Sequence, residues 1–69
     1  MSKGFKCKLK EIRLKEYMID SKSEFARMID ISIQTYIKWE NEESTPPLLI
    51  ALKVAKKLNK RVEEIWHLE

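Results

Sequence analysis

Apolar residues recur at helical spacing along most of the chain, and short polar segments interrupt them. The first such stretch runs from about Lys8 to Ile19, with Leu9, Ile12 and Ile19 on one face. Residues three, four and seven positions apart share a helix face, so this pattern predicts an amphipathic helix.

The central stretch, residues 21–41, contains two short helical patterns separated by a polar break at residues 30–32. One face of the first pattern is apolar: Phe25, Ala26 and Ile29. Ser21 or Ser23 can cap the first helix, and Ser32 can cap a second helix that ends near Asn41. Two helices joined by so short a turn must cross steeply. This is helix-turn-helix geometry, in which the second helix enters the DNA major groove.

Periodicity leaves two orientations of the second helix open. In one, Tyr36 and Trp39 pack inward while Ile33 and Ile37 face outward. In the other, Ile33, Tyr36 and Ile37 form the buried stripe of an ordinary bundle helix.

The C-terminal third predicts two more helices. Pro46 and Pro47 favour a helix start. A helical stripe follows at Leu48, Ala51, Leu52, Ala55 and Leu58, with Leu49 and Ile50 beside it. Asn59 is placed for a left-handed C-cap. A final short helix is expected over residues 62–68.

Size and charge allow one small domain of 69 residues with a net charge of +3. Residues 1–22 hold seven basic and three acidic residues, and residues 1–7 are expected to form a loose basic arm. Residues 23–45 hold two basic and five acidic residues, which counts against a DNA-binding role for this segment. The sequence has no apolar run long enough for a membrane span, so we expect a cytoplasmic protein.

The sequence offers no enzymatic machinery. His67 is the single histidine and Cys7 the single cysteine, and there is no glycine-rich phosphate loop. Two such ligands are too few for a zinc site. We therefore expect no catalytic residue, no metal and no cofactor.

Several motifs occur in the order and spacing of a known family: Glu24-Phe25-Ala26, Ile29-Asp30-Ile31-Ser32, Thr35-Tyr36, Trp39-Glu40-Asn41, Pro46 and Leu52-x-x-Ala55-x-x-Leu58-Asn59. In these residues the chain resembles the Cro/C1-type (XRE) family of helix-turn-helix regulators. The resemblance implies an all-α fold over residues 1–69, a compact bundle of about five helices like the lambda repressor DNA-binding domain. It also implies a structural ion pair between Arg13 and Glu40.

The chemistry of DNA recognition, together with the resemblance, selects the candidate site residues. Base contacts are expected from Ile33, Gln34, Ile37 and Lys38, because amide, ammonium and methyl groups match base edges in the major groove. Phosphate or base contacts are expected from Lys22, Ser23, Ser32, Thr35 and Asn41.

Two functions remain open. The first is a sequence-specific regulator of transcription that binds double-stranded DNA, a small repressor of phage or prophage type, pairing as a weak homodimer on DNA. The alternative is a protein-interaction module, an antitoxin or anti-repressor partner. Its contact surface would comprise Ile33, Ile37, Leu49, Ile50 and Trp66.

Overall fold

Five helices and a two-stranded sheet make up residues 4–69, the part of the chain that the computed structural model describes. The elements are β1 (Phe5–Cys7), α1 (Leu9–Glu11, continued as a π-helix over Ile12–Glu16), α2 (Lys22–Met28), α3 (Ile33–Glu40), α4 (Leu48–Lys57), α5 (Val62–Ile65) and β2 (Trp66–Leu68). The expected helical bundle is therefore confirmed, with a small sheet added. No helix within residues 4–69 combines the length and hydropathy that crossing a membrane requires.

Helix α1 buries Leu9 and Ile12 and is shorter than the sequence pattern predicts. Its second half widens, because the N–H of Tyr17 donates to the carbonyl of Ile12, five residues back, at 3.1 Å. The chain then leaves the helix at Met18, whose φ is 55°. The expected last turn up to Ile19 is therefore wrong.

Helices α2, α3 and α4 all end in the same way. A residue with positive φ follows each C-cap: Asp30 (64°), Glu42 (61°) and Asn59 (57°). At α2, the N–H of Ile31 reaches back to Ala26 O at 2.8 Å, as in a Schellman motif. The predicted left-handed conformation of Asn59 is confirmed.

The core lies where all five helices and β2 meet. Its buried apolar residues are Leu9, Ile12, Phe25, Ala26, Ile29, Tyr36, Trp39, Ala51, Val54, Ala55, Leu58, Ile65 and Trp66. The predicted α4 stripe is correct at Ala51, Ala55 and Leu58, but Leu48 and Leu52 are 72% and 50% exposed. Val54 is buried instead, so the face of α4 that packs on the core is formed by Ala51, Val54, Ala55 and Leu58 and not by Leu48 and Leu52.

The two ends of the described chain form an antiparallel ribbon. Strand β1 pairs with β2, with Phe5 opposite Leu68 and Cys7 opposite Trp66. The expectation of a loose arm is therefore wrong for Phe5–Cys7, and its first three residues lie outside the described part. The expected helix over residues 62–68 stops at Ile65, because Trp66 adopts an extended backbone and stacks edge-on against Trp39 at 5.6 Å.

Candidate nucleic-acid interface

Two serines define the starts of the paired helices. Ser21 Oγ accepts a hydrogen bond from the N–H of Glu24 at 3.2 Å, and Ser32 Oγ accepts one from the N–H of Thr35 at 3.3 Å. Both bonds satisfy amide groups that a helix start leaves unpaired. Only four residues, Ile29–Ser32, separate α2 from α3. The local sequence therefore builds the predicted helix-turn-helix.

The inner face of α3 is formed by Tyr36 and Trp39, which are 0% and 2% exposed. The ring of Tyr36 packs edge-on against Phe25 of α2, with centroids 5.7 Å apart. Because Trp39 is buried while Ile37 is 36% exposed, the ordinary-bundle orientation, with Ile33, Tyr36 and Ile37 in the buried stripe, is excluded.

The outer face of α3 presents polar groups to solvent. Gln34 and Lys38 are exposed, and Ile37 is 36% exposed. Ile33 is different, because it is half-buried and packs against the core. We expected both isoleucines to face outward, and this is correct for Ile37 but only in part for Ile33. The reason is that Ile33 occupies the first turn of α3, beside the end of α2.

A buried ion pair joins α3 to the helix that begins the fold. Arg13 Nε lies 3.2 Å from Glu40 Oε2, and both side chains are 3% exposed. Arg13 Nη1 also donates to the carbonyls of Ile19 and Asp20, at 3.1 and 2.6 Å. The guanidinium therefore holds both α3 and the irregular segment after α1.

Two further groups complete the environment of the Glu40 carboxylate. The hydroxyl of Tyr36 donates to Oε2 at 2.5 Å, and Lys22 Nζ lies 3.5 Å from Oε1. Burial alone would raise the pKa of Glu40, but the hydrogen bonds from Tyr36 and Arg13 outweigh it and hold that pKa below its usual range. Burial and the same carboxylate raise the pKa of Tyr36.

The remaining candidate residues lie in the first turn of α2, in the first turn of α3 and at the two caps of α3. Lys22 and Ser23 are exposed in the first turn of α2. The hydroxyl of Ser32 donates to Thr35 Oγ1 at 2.9 Å, so these two hydroxyls form one polar unit. Asn41 is exposed at the C-cap of α3. All of these residues belong to the helix-turn-helix segment.

The acidic loop after α3 is less exposed than its sequence implies. Glu42 Oε2 accepts a hydrogen bond from the N–H of Cys7 at 2.9 Å, so this carboxylate is directed toward β1. Desolvation raises the pKa of the Cys7 thiol to about 11. The sequence carried no signal for this contact, because the two residues are 35 positions apart and no helical or strand periodicity relates them.

The five residues expected to form the contact surface of a protein-interaction module do not form one exposed surface. Trp66 is 8% exposed, and Ile50 packs against the core together with Ile33. Leu49 is 62% exposed, but its exposed apolar neighbours are Leu48 and Leu52 of the same helix. Three exposed leucines therefore lie together on the first half of α4, away from Trp66 and Ile50.

The short turn, the packing of α2 against α3 and the polar outer face of α3 define a helix-turn-helix domain. A family model described as "Helix-turn-helix" matches residues 9–65. The chain belongs to this family, the Cro/C1-type (XRE) helix-turn-helix proteins. Members of the family are DNA-binding regulators, and catalysis is not typical of them. No curated protein matches the chain in sequence.

Proposed function

We propose that the chain is a sequence-specific DNA-binding repressor of transcription that inserts α3 into the major groove and acts by occupying an operator. Family membership supports DNA binding by a regulator. That the regulator is a repressor, and which residues contact bases and phosphates, goes beyond family membership.

The observation that carries the proposal is the division of α3 into two faces. Tyr36 and Trp39 fix the helix in the core, while Gln34 and Lys38 are exposed and their side chains make no hydrogen bond or ion pair within residues 4–69. An amide and an ammonium on the outer face of a groove-sized helix match the edges of adenine and guanine. Ile37 supplies an apolar contact for a thymine methyl group.

Phosphate contacts set the register of the helix in the groove without reading sequence. We assign them to Lys22, Ser23, Ser32, Thr35 and Asn41, which flank the outer face of α3. Two of the acidic groups that argued against DNA binding are directed inward: the Glu40 side chain is 3% exposed, and Glu42 is bonded to Cys7. The repulsion of phosphate is therefore smaller than the charge count suggests.

In-vitro selection from a random DNA pool, followed by a salt titration of the selected site, tests DNA binding. We expect one enriched sequence and an affinity that falls steeply with salt, because bound lysines and arginines release condensed counterions. Lys38→Ala should weaken binding, whereas Lys56→Ala on the last turn of α4 is the matched control. Absence of an enriched sequence would contradict the proposal and favour the protein-interaction module.

Repression is tested by placing the selected site over a promoter and measuring transcription in vitro. A protein that occupies the operator should reduce transcript in proportion to site occupancy. An increase in transcript at the same occupancy would contradict repression while leaving DNA binding intact.

We also propose that two copies pair weakly on DNA through the first half of α4. Leu48, Leu49 and Leu52 are 72%, 62% and 50% exposed, which gives one turn of the helix an apolar surface. An eight-residue recognition helix contacts few base pairs, and dimers of this fold read two half-sites about one helical turn apart. A surface of three leucines is small, so pairing in solution should be weak.

Analytical ultracentrifugation with and without the selected DNA tests pairing. We expect two protein copies on a palindromic site and mostly monomer in free solution. Leu49→Ser should reduce the two-copy complex, while Leu68→Ser, at an exposed leucine in β2, should not. A one-to-one complex on a non-palindromic selected site would contradict pairing.

A further inference from the structure

A groove of about 390 Å³ separates α2 from the start of α3. Its lining residues are Ser23, Arg27, Asp30, Ile31, Ser32 and Ile33. Ser23, Ser32 and Ile33 are already candidate DNA contacts. Arg27 is a cation in the same groove, and neither the sequence pattern nor the family resemblance gave it a role.

Arg27 lies on the same face of α2 as Ser23. The two residues are four positions apart, which is about one turn and about 6 Å along the helix axis. Both side chains are exposed. An arginine side chain reaches further than a serine hydroxyl and carries five N–H donors that match phosphate oxygens in a bidentate arrangement. Arg27 therefore extends the line of phosphate donors that begins at Ser23.

The helix-turn-helix segment has few other basic side chains. Residues 21–45 contain three basic residues: Lys22, Arg27 and Lys38. Lys22 Nζ is 3.5 Å from the Glu40 carboxylate, so part of its charge is already neutralised. Lys38 is on α3 itself and is assigned to a base. Arg27 is then the cation of this segment best placed for the DNA backbone beside α2.

Asp30 is the one acidic residue in the lining, and it is exposed. It lines the same groove as Arg27, and its backbone N–H donates to the carbonyl of Arg27 at 3.1 Å. A phosphate near the groove would be repelled by the Asp30 carboxylate unless a cation offset it. The guanidinium of Arg27 is the group that can do so.

We propose that Arg27 is a further DNA-binding residue, whose guanidinium contacts a backbone phosphate at the edge of the site next to Ser23. This inference rests on the proposed DNA-binding function and adds a contact on α2 beyond Lys22 and Ser23. Because its ligand is a phosphate, Arg27 sets affinity and register but does not read sequence.

The test compares Arg27→Gln and Arg27→Lys with the wild-type protein on the selected site and on unrelated duplexes of equal length. Arg27→Gln should weaken binding to all duplexes by a similar factor and reduce the slope of log K against log salt by about one unit. Arg27→Lys should keep most of that slope, because it keeps the charge. Arg61→Gln, at the other exposed arginine and outside the groove lining, is the matched control.

Asp30→Asn provides an independent arm, because it removes the opposing charge while asparagine tolerates the positive φ at this position. It should strengthen binding to all duplexes. Wild-type affinity and salt slope for Arg27→Gln would overturn the inference, and so would a loss confined to one base-pair position. If the wild-type protein bound no duplex, the proposed function itself would be contradicted. If the wild-type protein binds DNA and Arg27→Gln binds it equally well, only the inference about Arg27 is contradicted.

Discussion

Arg13 and Glu40 form an ion pair, 3.2 Å from Nε to Oε2, with both side chains 3% exposed. The pair joins α1 to the last residue of α3, 27 positions away. A charged pair at such burial is held by the hydrogen bonds around it, here from Tyr36 to the carboxylate and from Arg13 to two carbonyls. The pair therefore fixes the orientation of α3 relative to α1, and with it the direction in which the outer face of α3 points.

Glu40→Ala should be strongly destabilising. Removing the carboxylate leaves Arg13 as an uncompensated buried charge and costs about 3–5 kcal/mol of unfolding free energy. Urea denaturation followed by circular dichroism measures this loss. The control is Glu16→Ala, because Glu16 is half exposed where it pairs with Lys60 and should cost less than about 1 kcal/mol. Equal losses in the two variants would contradict the structural role of the Arg13–Glu40 pair.

Acid should destabilise the fold through Glu40. Its pKa is lower in the folded state than in the unfolded chain, so its contribution to stability is complete above the unfolded-state pKa, about 4.3, and is lost as the pH falls through the folded-state value. Urea denaturation at a series of pH values should therefore show a shallower acid loss for Glu40→Gln than for the wild-type protein. Glu16→Gln is the exposed control. Parallel acid dependence of Glu40→Gln and the wild-type would contradict the assignment.

The two faces of α3 predict losses of stability of different size when their side chains are truncated. Tyr36→Ala removes a fully buried ring and should cost about 3–5 kcal/mol, as for other large aromatic residues in cores. Ile37→Ala removes a side chain that is 36% exposed and should cost less than about 1 kcal/mol. Ile33→Ala should fall between them, because Ile33 is half-buried. Chemical denaturation decides the order without DNA, and a larger loss at Ile37 than at Tyr36 would contradict it.

Local patterns predicted most of the helical core. Serine caps, helical periodicity and the turn residues lie within a few positions of one another, so α2, α3 and the cap at Asn59 follow from short-range chemistry. Periodicity left the orientation of α3 open, and the burial of Trp39 together with the exposure of Ile37 decides it.

The missed features depend on contacts between distant residues. The β1–β2 ribbon pairs Cys7 with Trp66, and Glu42 binds the N–H of Cys7. No local pattern encodes such partners. Likewise, Leu48 and Leu52 satisfy a helical stripe as well as Val54 does, and only the packing of α4 shows that Val54 is buried. The groove containing Arg27 also exists only after α2 and α3 are paired.

Asp30→Gly should stabilise the protein. Asp30 has a φ of 64° at the end of α2, a left-handed conformation that costs most residues about 1–2 kcal/mol, aspartate less and glycine nothing. Part of this gain is offset by the greater freedom of glycine in the unfolded chain, so we expect a net gain of less than about 0.5 kcal/mol. Thermal and urea denaturation should agree on the sign. A destabilised Asp30→Gly variant would indicate that the carboxylate makes a stabilising contact that outweighs the strain.

The central claim is that the outer face of α3 reads bases, and Gln34 tests it most directly. The measurement is the affinity of wild-type and Gln34→Ala proteins for the selected operator and for each of its single base-pair substitutions, with Lys56→Ala as control. Gln34→Ala should lose about 1–3 kcal/mol on the operator and should no longer discriminate at one A·T position. A folded Gln34→Ala protein with wild-type affinity and wild-type preference at every position would contradict the claim.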